Sequence, residues 1–68
     1  MSETTTYTVV GMTCAHCVAS VTEEVSEIPG VEDIQVDLAS GAVHVTSNQP
    51  VPAEAVKAAV EDAGYQIA

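Results

Sequence analysis

Both cysteines of the 68-residue chain lie in the segment Gly11-Met12-Thr13-Cys14-Ala15-His16-Cys17, with a histidine between them. Two thiolates separated by two residues can point toward a common centre, and thiolate sulfur is a soft ligand. The metal that it selects best is Cu(I), which two sulfurs satisfy, whereas Zn²⁺ requires four ligands. The same spacing also occurs in thiol–disulfide redox pairs. The spacing alone therefore leaves a Cu(I) site and a redox couple open.

A structural zinc site would need two further ligands. By residue type the only other candidates are His16, His44 and the carboxylates, and the sequence has no second cysteine pair. His44 is predicted to lie on an exposed strand face, so the pattern disfavours zinc. A thioredoxin-like redox protein is a longer chain with Trp and Gly-Pro around its cysteines, whereas this sequence has no Trp and no Pro near the pair. The elements around the pair therefore have to decide between copper binding and redox chemistry.

The elements on either side of the pair are predicted to be a strand and a helix. Residues 5–10 alternate with Tyr7 and Val9 on one side, which is the period of a half-buried strand. Thr13 is placed to cap the helix, and Cys17 falls in about its first turn, where backbone N–H groups and the helix dipole favour a thiolate over a thiol. The helix starts at about residue 15, ends at Pro29-Gly30, and has one apolar face made of Val18, Val21, Val25 and Ile28.

The rest of the chain is predicted to form a hairpin, a second helix and a short strand. Residues 31–38 alternate through Ile34, Val36 and Leu38, residues 39–41 supply a turn, and residues 42–47 place Val43 and Val45 inward. Residues 48–52 form a loop, and the helix of residues 53–63 is apolar at Val56, Ala59, Val60 and Ala63. Gly64 supplies a left-handed cap, and residues 65–67 close a short last strand.

The predicted order β-α-β-β-α-β is that of an α+β, ferredoxin-like fold, in which two helices cover one face of a four-stranded antiparallel sheet. The other face of the sheet is open to water. The polar residues between the inward positions agree with this arrangement; they are Thr6, Thr8, Gln35, Asp37, His44 and Thr46. This topology places the cysteines at the junction between the first strand and the first helix.

The composition limits the size of the protein and its classes of partner. A chain of 68 residues with 47% hydrophobic residues is predicted to be one small domain, residues 1–68, with an aliphatic core. The formal net charge of −9 disfavours nucleic acid and membrane surfaces as partners and is compatible with a cationic patch on a partner protein. The first residues lack the basic start and apolar run of a secretory signal, and no apolar stretch reaches the ~20 residues that span a bilayer. These features predict a cytoplasmic protein.

The segment GMTCAHC matches the GMxCxxC motif of the heavy-metal-associated domain, and the predicted element order with Gly64-Tyr65 near the end is also similar. Over residues 5–68 the chain resembles this family, and within it the small bacterial Cu(I) chaperones. The resemblance implies that Cys14 and Cys17 bind Cu(I) on a surface loop. It also implies delivery of the metal to the cysteine pair of a copper-exporting P-type ATPase, and in some members to a copper-responsive repressor. Family members also self-associate through a bridging Cu(I).

The resemblance further suggests roles for three neighbours of the cysteines. Met12 is expected to pack into the core beneath the loop rather than to act as a thioether ligand. Tyr65 corresponds to a family position near the loop, where it either shields the site and hydrogen-bonds near a sulfur or only closes the core. His16 is expected to face solvent, and its functional interpretation is that it tunes the thiols or joins a metal that bridges two molecules.

No feature of the sequence favours catalysis. Glu23, Glu24, Glu27, Glu54, Glu61 and Asp62 are interpreted as the solvated faces of two helices, and the chain has no phosphate loop, nucleophile elbow or Ser/His/Asp constellation. The sequence is therefore interpreted as that of a Cu(I) chaperone that is not an enzyme. The alternatives are a thiol–disulfide redox protein and the excised metal-binding domain of a copper-transporting ATPase.

Overall fold

A computed structural model describes residues 2–13 and 15–68 of the chain. Its elements are β1 (Glu3–Val10), α1 (Ala15–Ser26), β2 (Val31–Asp37), β3 (Ala42–Ser47), α2 (Ala53–Asp62) and β4 (Gln66–Ile67). The four strands form one antiparallel sheet in the order β2-β3-β1-β4. This arrangement confirms the predicted ferredoxin-like topology, and neither helix of the described residues is long and apolar enough to cross a membrane.

The core lies between the sheet and the two helices and consists of small aliphatic side chains. Val43 on β3 lies opposite Tyr7 of β1 and Val36 of β2, so the inward positions of three strands are aligned. The helices add the completely buried Val21 and Val25 from α1 and Val56 and Val60 from α2. Because these valines recur at spacings of three or four residues, each helix presents one apolar stripe to the sheet. The inward prediction is confirmed for the residues that are buried and is wrong for Leu38, which is exposed; the buried ones are Val21, Val25, Val43, Val45, Val56, Ala59 and Val60.

The first helix ends earlier than its apolar pattern predicts. α1 stops at Ser26, and the next amides make shorter-range bonds, from Glu27 N–H to the Glu24 carbonyl at 3.3 Å and from Ile28 N–H to the Val25 carbonyl at 3.1 Å. Ile28 precedes Pro29, and a residue before proline is disfavoured in the helical region. Ile28 therefore packs against the core from the turn that follows the helix, not from the helix itself.

The hairpin turn begins one residue before the prediction, so Leu38 is not a strand residue. β2 ends at Asp37, whose carboxylate accepts a hydrogen bond from the Ala39 N–H at 3.1 Å and whose carbonyl accepts one from the Gly41 N–H at 2.8 Å. An aspartate that bonds the backbone two residues ahead favours a turn over a continued strand. Leu38 consequently lies at the turn with 38% of its surface exposed.

The last strand is also shorter than predicted because the end of α2 takes the backbone amide of Tyr65. That N–H bonds the Val60 carbonyl at 3.0 Å, and the Gly64 N–H bonds the Glu61 carbonyl at 2.9 Å. Gly64 has φ +94°, so the pattern is a Schellman motif with glycine in the left-handed position. The predicted glycine cap is confirmed, and β4 is left with Gln66–Ile67, which pair with the end of β1.

Candidate metal centre

The candidate site is residues 11–17, called the cysteine loop, which include the first three residues of α1. Gly11 follows the last residue of β1 and has φ +96°, a left-handed conformation that side chains other than glycine adopt at a cost. The strand beneath the loop is fixed from the hairpin turn, since the Val9 N–H donates to the Gly41 carbonyl at 2.8 Å. The loop therefore starts from a backbone position that tertiary contacts hold in place.

Cys17 is the third residue of α1 and is half-buried, which confirms its predicted position in the first turn. The hydroxyl oxygen of Thr13 lies 3.8 Å from the Sγ atom of Cys17. Backbone N–H groups at the start of a helix lack intrahelical partners and carry partial positive charge, and no acidic residue lies in the first turn of α1. The surroundings of Cys17 are thus favourable for negative charge on its sulfur.

Cys14 lies outside the described residues, so its role as a ligand stays a prediction. The same holds for the prediction that Thr13 caps the helix, because that cap depends on residue 14. What the structure adds is the contact between Thr13 and Cys17, which the sequence analysis missed. Its one sequence signal is the spacing of four residues across a helix start, where side chains one turn apart meet.

The three neighbours of the pair occupy different environments. Met12 is half-buried and packs against the core, as predicted, while His16 is exposed and its carbonyl accepts a hydrogen bond from the Ser20 hydroxyl at 3.1 Å. Tyr65 is half-buried and does lie at the loop: a Cβ atom on Gly11 would stand 3.3 Å from its Cδ1 atom. The structure therefore brings Tyr65 and Met12 to the base of the loop and His16 to its surface. The functional roles suggested for them stay predictions.

His44 is remote from this loop in the strand register. It lies on β3 opposite Thr6 of β1, and its Nδ1 atom is 2.8 Å from the Thr6 hydroxyl oxygen. The residue is half-buried on the open face of the sheet, the face on which it was predicted. Within residues 2–13 and 15–68, no three side chains of His, Cys, Asp or Glu converge into a metal-binding group.

The fold and the sequence together define a class of protein. It is a ferredoxin-like domain whose sequence has two cysteines after the first strand, the second of them in the first turn of the first helix. The sequence profile of the heavy-metal-associated domain matches residues 6–66. The chain therefore belongs to the heavy-metal-associated domain family.

Relatives of similar length include a protein named as a copper chaperone. The chain is 46% identical over 57 residues to the COP-associated protein of Helicobacter felis, covering 84% of this chain and 86% of that protein. It is 39% identical over 67 residues to the copper chaperone CopZ of Bacillus subtilis, covering 97% of each. Among solved structures, a CopZ metallochaperone superposes with a TM-score of 0.90 at 33% identity, covering 97% of this chain and 100% of that one.

Larger proteins contain similar segments. Several copper-transporting ATPases and a mercuric reductase match this chain over a small part of their own length. Membership of the family indicates a heavy metal as the ligand.

Proposed function

We propose that this chain is a copper chaperone that binds one Cu(I) ion through Cys14 and Cys17 and delivers it by ligand exchange. The observation that carries the proposal is the position of Cys17, half-buried in the first turn of α1 and in contact with Thr13. Similarity to a relative of nearly the same length that is named a copper chaperone supports it. In this proposal the domain is residues 1–68, the protein acts in the cytoplasm, and it catalyses no reaction.

The chemistry of the two ligands favours Cu(I) as the cargo. Thiolates are soft and suit Cu(I), which accepts two-coordinate sulfur ligation, whereas a closed zinc site needs four ligands. The start of α1 supports negative charge at Cys17 through unpaired backbone N–H groups and the helix dipole. Met12 packs below the site, Tyr65 shields its base, and exposed His16 stands where it can reach a metal shared by two molecules.

Delivery follows from the surface position of the loop. A thiolate of the receiving protein forms a bond to copper and produces a three-coordinate intermediate, after which one chaperone sulfur leaves with its electron pair. Copper stays in the same oxidation state, and no part of the core between sheet and helices has to open. Similarity to segments of copper-transporting ATPases supports a P-type ATPase as the receiving protein. A copper-responsive repressor is a second proposed recipient.

A copper-bridged homodimer is a further part of this proposal, because the exposed His16 and the surface loop leave the site open to a second copy. Addition of one Cu(I) per chain is expected to increase the sedimentation coefficient from that of a monomer toward that of a dimer. Equal sedimentation of the apo and copper-loaded proteins would remove the dimer without affecting the chaperone proposal.

The function is tested by anaerobic titration of the reduced apoprotein with Cu(I) in competition with a chromophoric chelator. We expect the protein to withhold one equivalent of Cu(I) from the chelator. An equal addition of Zn²⁺ is not expected to displace the copper, because two thiolates complete the coordination of Cu(I) but not that of Zn²⁺. The matched assay is insulin reduction by the same preparation. Capture of Cu(I) without reductase activity supports the proposal, whereas Cys14-dependent reductase activity without capture would replace it with the thiol–disulfide alternative.

A further inference from the structure

The contact between Thr13 and Cys17 is not explained by copper binding alone. The Thr13 oxygen lies 3.8 Å from the Cys17 sulfur, Thr13 is exposed and Cys17 is half-buried. A hydroxyl has one proton to donate, and a thiolate can only accept. When Cys17 is a thiolate, the contact is therefore an O–H···S⁻ hydrogen bond with Thr13 as the donor, and a charged acceptor strengthens such a bond.

We propose that the Thr13 hydroxyl assists the release of Cu(I) from Cys17 during transfer. This inference rests on the proposed function, since it concerns the sulfur that loses the metal. In this proposal the Cys17 sulfur bonds copper and also accepts a hydrogen bond from the Thr13 hydroxyl, whose oxygen lies 3.8 Å away.

The exchange step balances as a substitution at copper. A bond forms between copper and the incoming thiolate, the bond between copper and Cys17 Sγ breaks, and the electron pair of that bond remains on Sγ. No electron is transferred, and the hydroxyl proton stays on Thr13. Negative charge on Sγ is shared with copper before the step and is concentrated on sulfur after it.

A donor that is already in place therefore interacts more strongly with the leaving sulfur than with the bound one. Interactions that strengthen toward the transition state accelerate a step, whereas equal stabilisation of both states does not. Because Thr13 is exposed, water competes for the sulfur and the effect is smaller than in a closed site. We expect loss of the hydroxyl to slow release by about 5-fold, the size of a modest charged hydrogen bond at a surface.

A purely structural role for Thr13 makes a different prediction. If the residue only shaped the loop or capped α1, its loss would loosen the site, weaken Cu(I) binding and speed release. The proposed role predicts slower release with Cu(I) affinity equal or higher, because the apo thiolate loses a stabilising donor. The direction of the rate change separates the two roles.

The experiment is stopped-flow transfer of Cu(I) from the loaded protein to bathocuproine disulfonate, followed by the colour of the chelate. Thr13→Val removes the donor at nearly constant shape, Thr13→Ser retains it, and Thr8→Val is the matched control on the open face of the sheet. We expect Thr13→Val to release copper about 5-fold more slowly, with Thr13→Ser and Thr8→Val close to wild type. Urea unfolding of each apoprotein verifies that the fold is retained.

A pulse of N-ethylmaleimide during transfer identifies the sulfur that becomes accessible, because copper protects a bound thiolate from alkylation. Peptide mapping is expected to show less label on Cys17 in Thr13→Val than in wild type at the same reaction time. Equal release rates in all variants, or faster release with weaker Cu(I) binding in Thr13→Val, would overturn the inference about Thr13. The chaperone proposal would still stand in that case, provided that the wild-type protein captures Cu(I). Failure of wild type to capture Cu(I) would overturn both.

Discussion

Replacing either Cys14 or Cys17 with serine is expected to weaken Cu(I) binding by more than roughly 100-fold, because loss of outer-sphere partners alone costs about 10- to 100-fold in metal affinity. A hydroxyl is a hard, neutral ligand at neutral pH and does not replace a thiolate for Cu(I). The Cys14→Ser/Cys17→Ser double variant is expected to retain no capture against a chromophoric chelator. The measurement is the anaerobic competition titration of the reduced apoproteins.

The matched control is His16→Ala, which removes the potential ligand that lies between the cysteines and leaves the thiols intact. Since His16 is exposed, we expect the monomer to keep its dissociation constant within experimental error. Tight capture by the double variant would place copper elsewhere on the chain and contradict the cysteine site. A loss in His16→Ala as large as that in Cys17→Ser would instead make His16 a direct ligand in the monomer.

The ferredoxin-like fold was predictable because the apolar positions of each element are regular. Val21 and Val25 on α1, and Val43 and Val45 on β3, fall at helical and strand spacings and are all buried. Apolar residues alternate in the strands and recur every three or four residues in the helices. Packing both helices on one face of the sheet buries the apolar side of every element. In such a small domain the burial pattern is most of what selects the topology.

The ends of the elements were less predictable because hydrogen bonds decide them. Ile28 and Leu38 continue an apolar pattern, yet they lie just past the ends of α1 and β2, and Tyr65 lies just before the start of β4. The turn after α1, the Asp37 turn and the Schellman motif of α2 take the backbone groups that a longer element would use. The periodicity of apolar residues predicts which side chains are buried, but it does not predict which groups the backbone N–H and C=O groups bond at the end of an element.

The positions of Cys17, Met12, His16 and Tyr65 agree with the sequence analysis, whereas their roles at a metal site and the ligand role of Cys14 stay predictions. Cys17 occupies the helix turn that the spacing indicates, and Tyr65 lies against the start of the loop at Gly11. The contact of Thr13 with Cys17 and the support of Val9 by Gly41 were not predicted, because both depend on distances between atoms that the pattern of residue types does not contain.

Replacing Gly41 with alanine is expected to cost about 3 kcal/mol of unfolding free energy, combining about 1–2 for a left-handed residue and about 1–3 for forced overlap. Gly41 has φ +77°, and a Cβ atom there would lie 2.6 Å from the Val9 carbonyl oxygen. That oxygen belongs to the backbone and cannot rotate away. A domain of this size has roughly 3–5 kcal/mol in total, so most of its stability would be lost. Urea unfolding at 25 °C measures the change.

Gly64→Ala is the matched control. Both glycines have a positive φ, but only at Gly41 would an added Cβ atom overlap another atom. Gly64 has φ +94°, but a Cβ atom there would meet nothing within 4 Å, so its replacement is expected to cost only about 1–2 kcal/mol from the left-handed backbone. Equal losses in the two variants would mean that the hairpin turn moves away from Val9 without penalty. A larger loss at Gly41 would show that close backbone packing holds the end of β1, and with it the start of the cysteine loop.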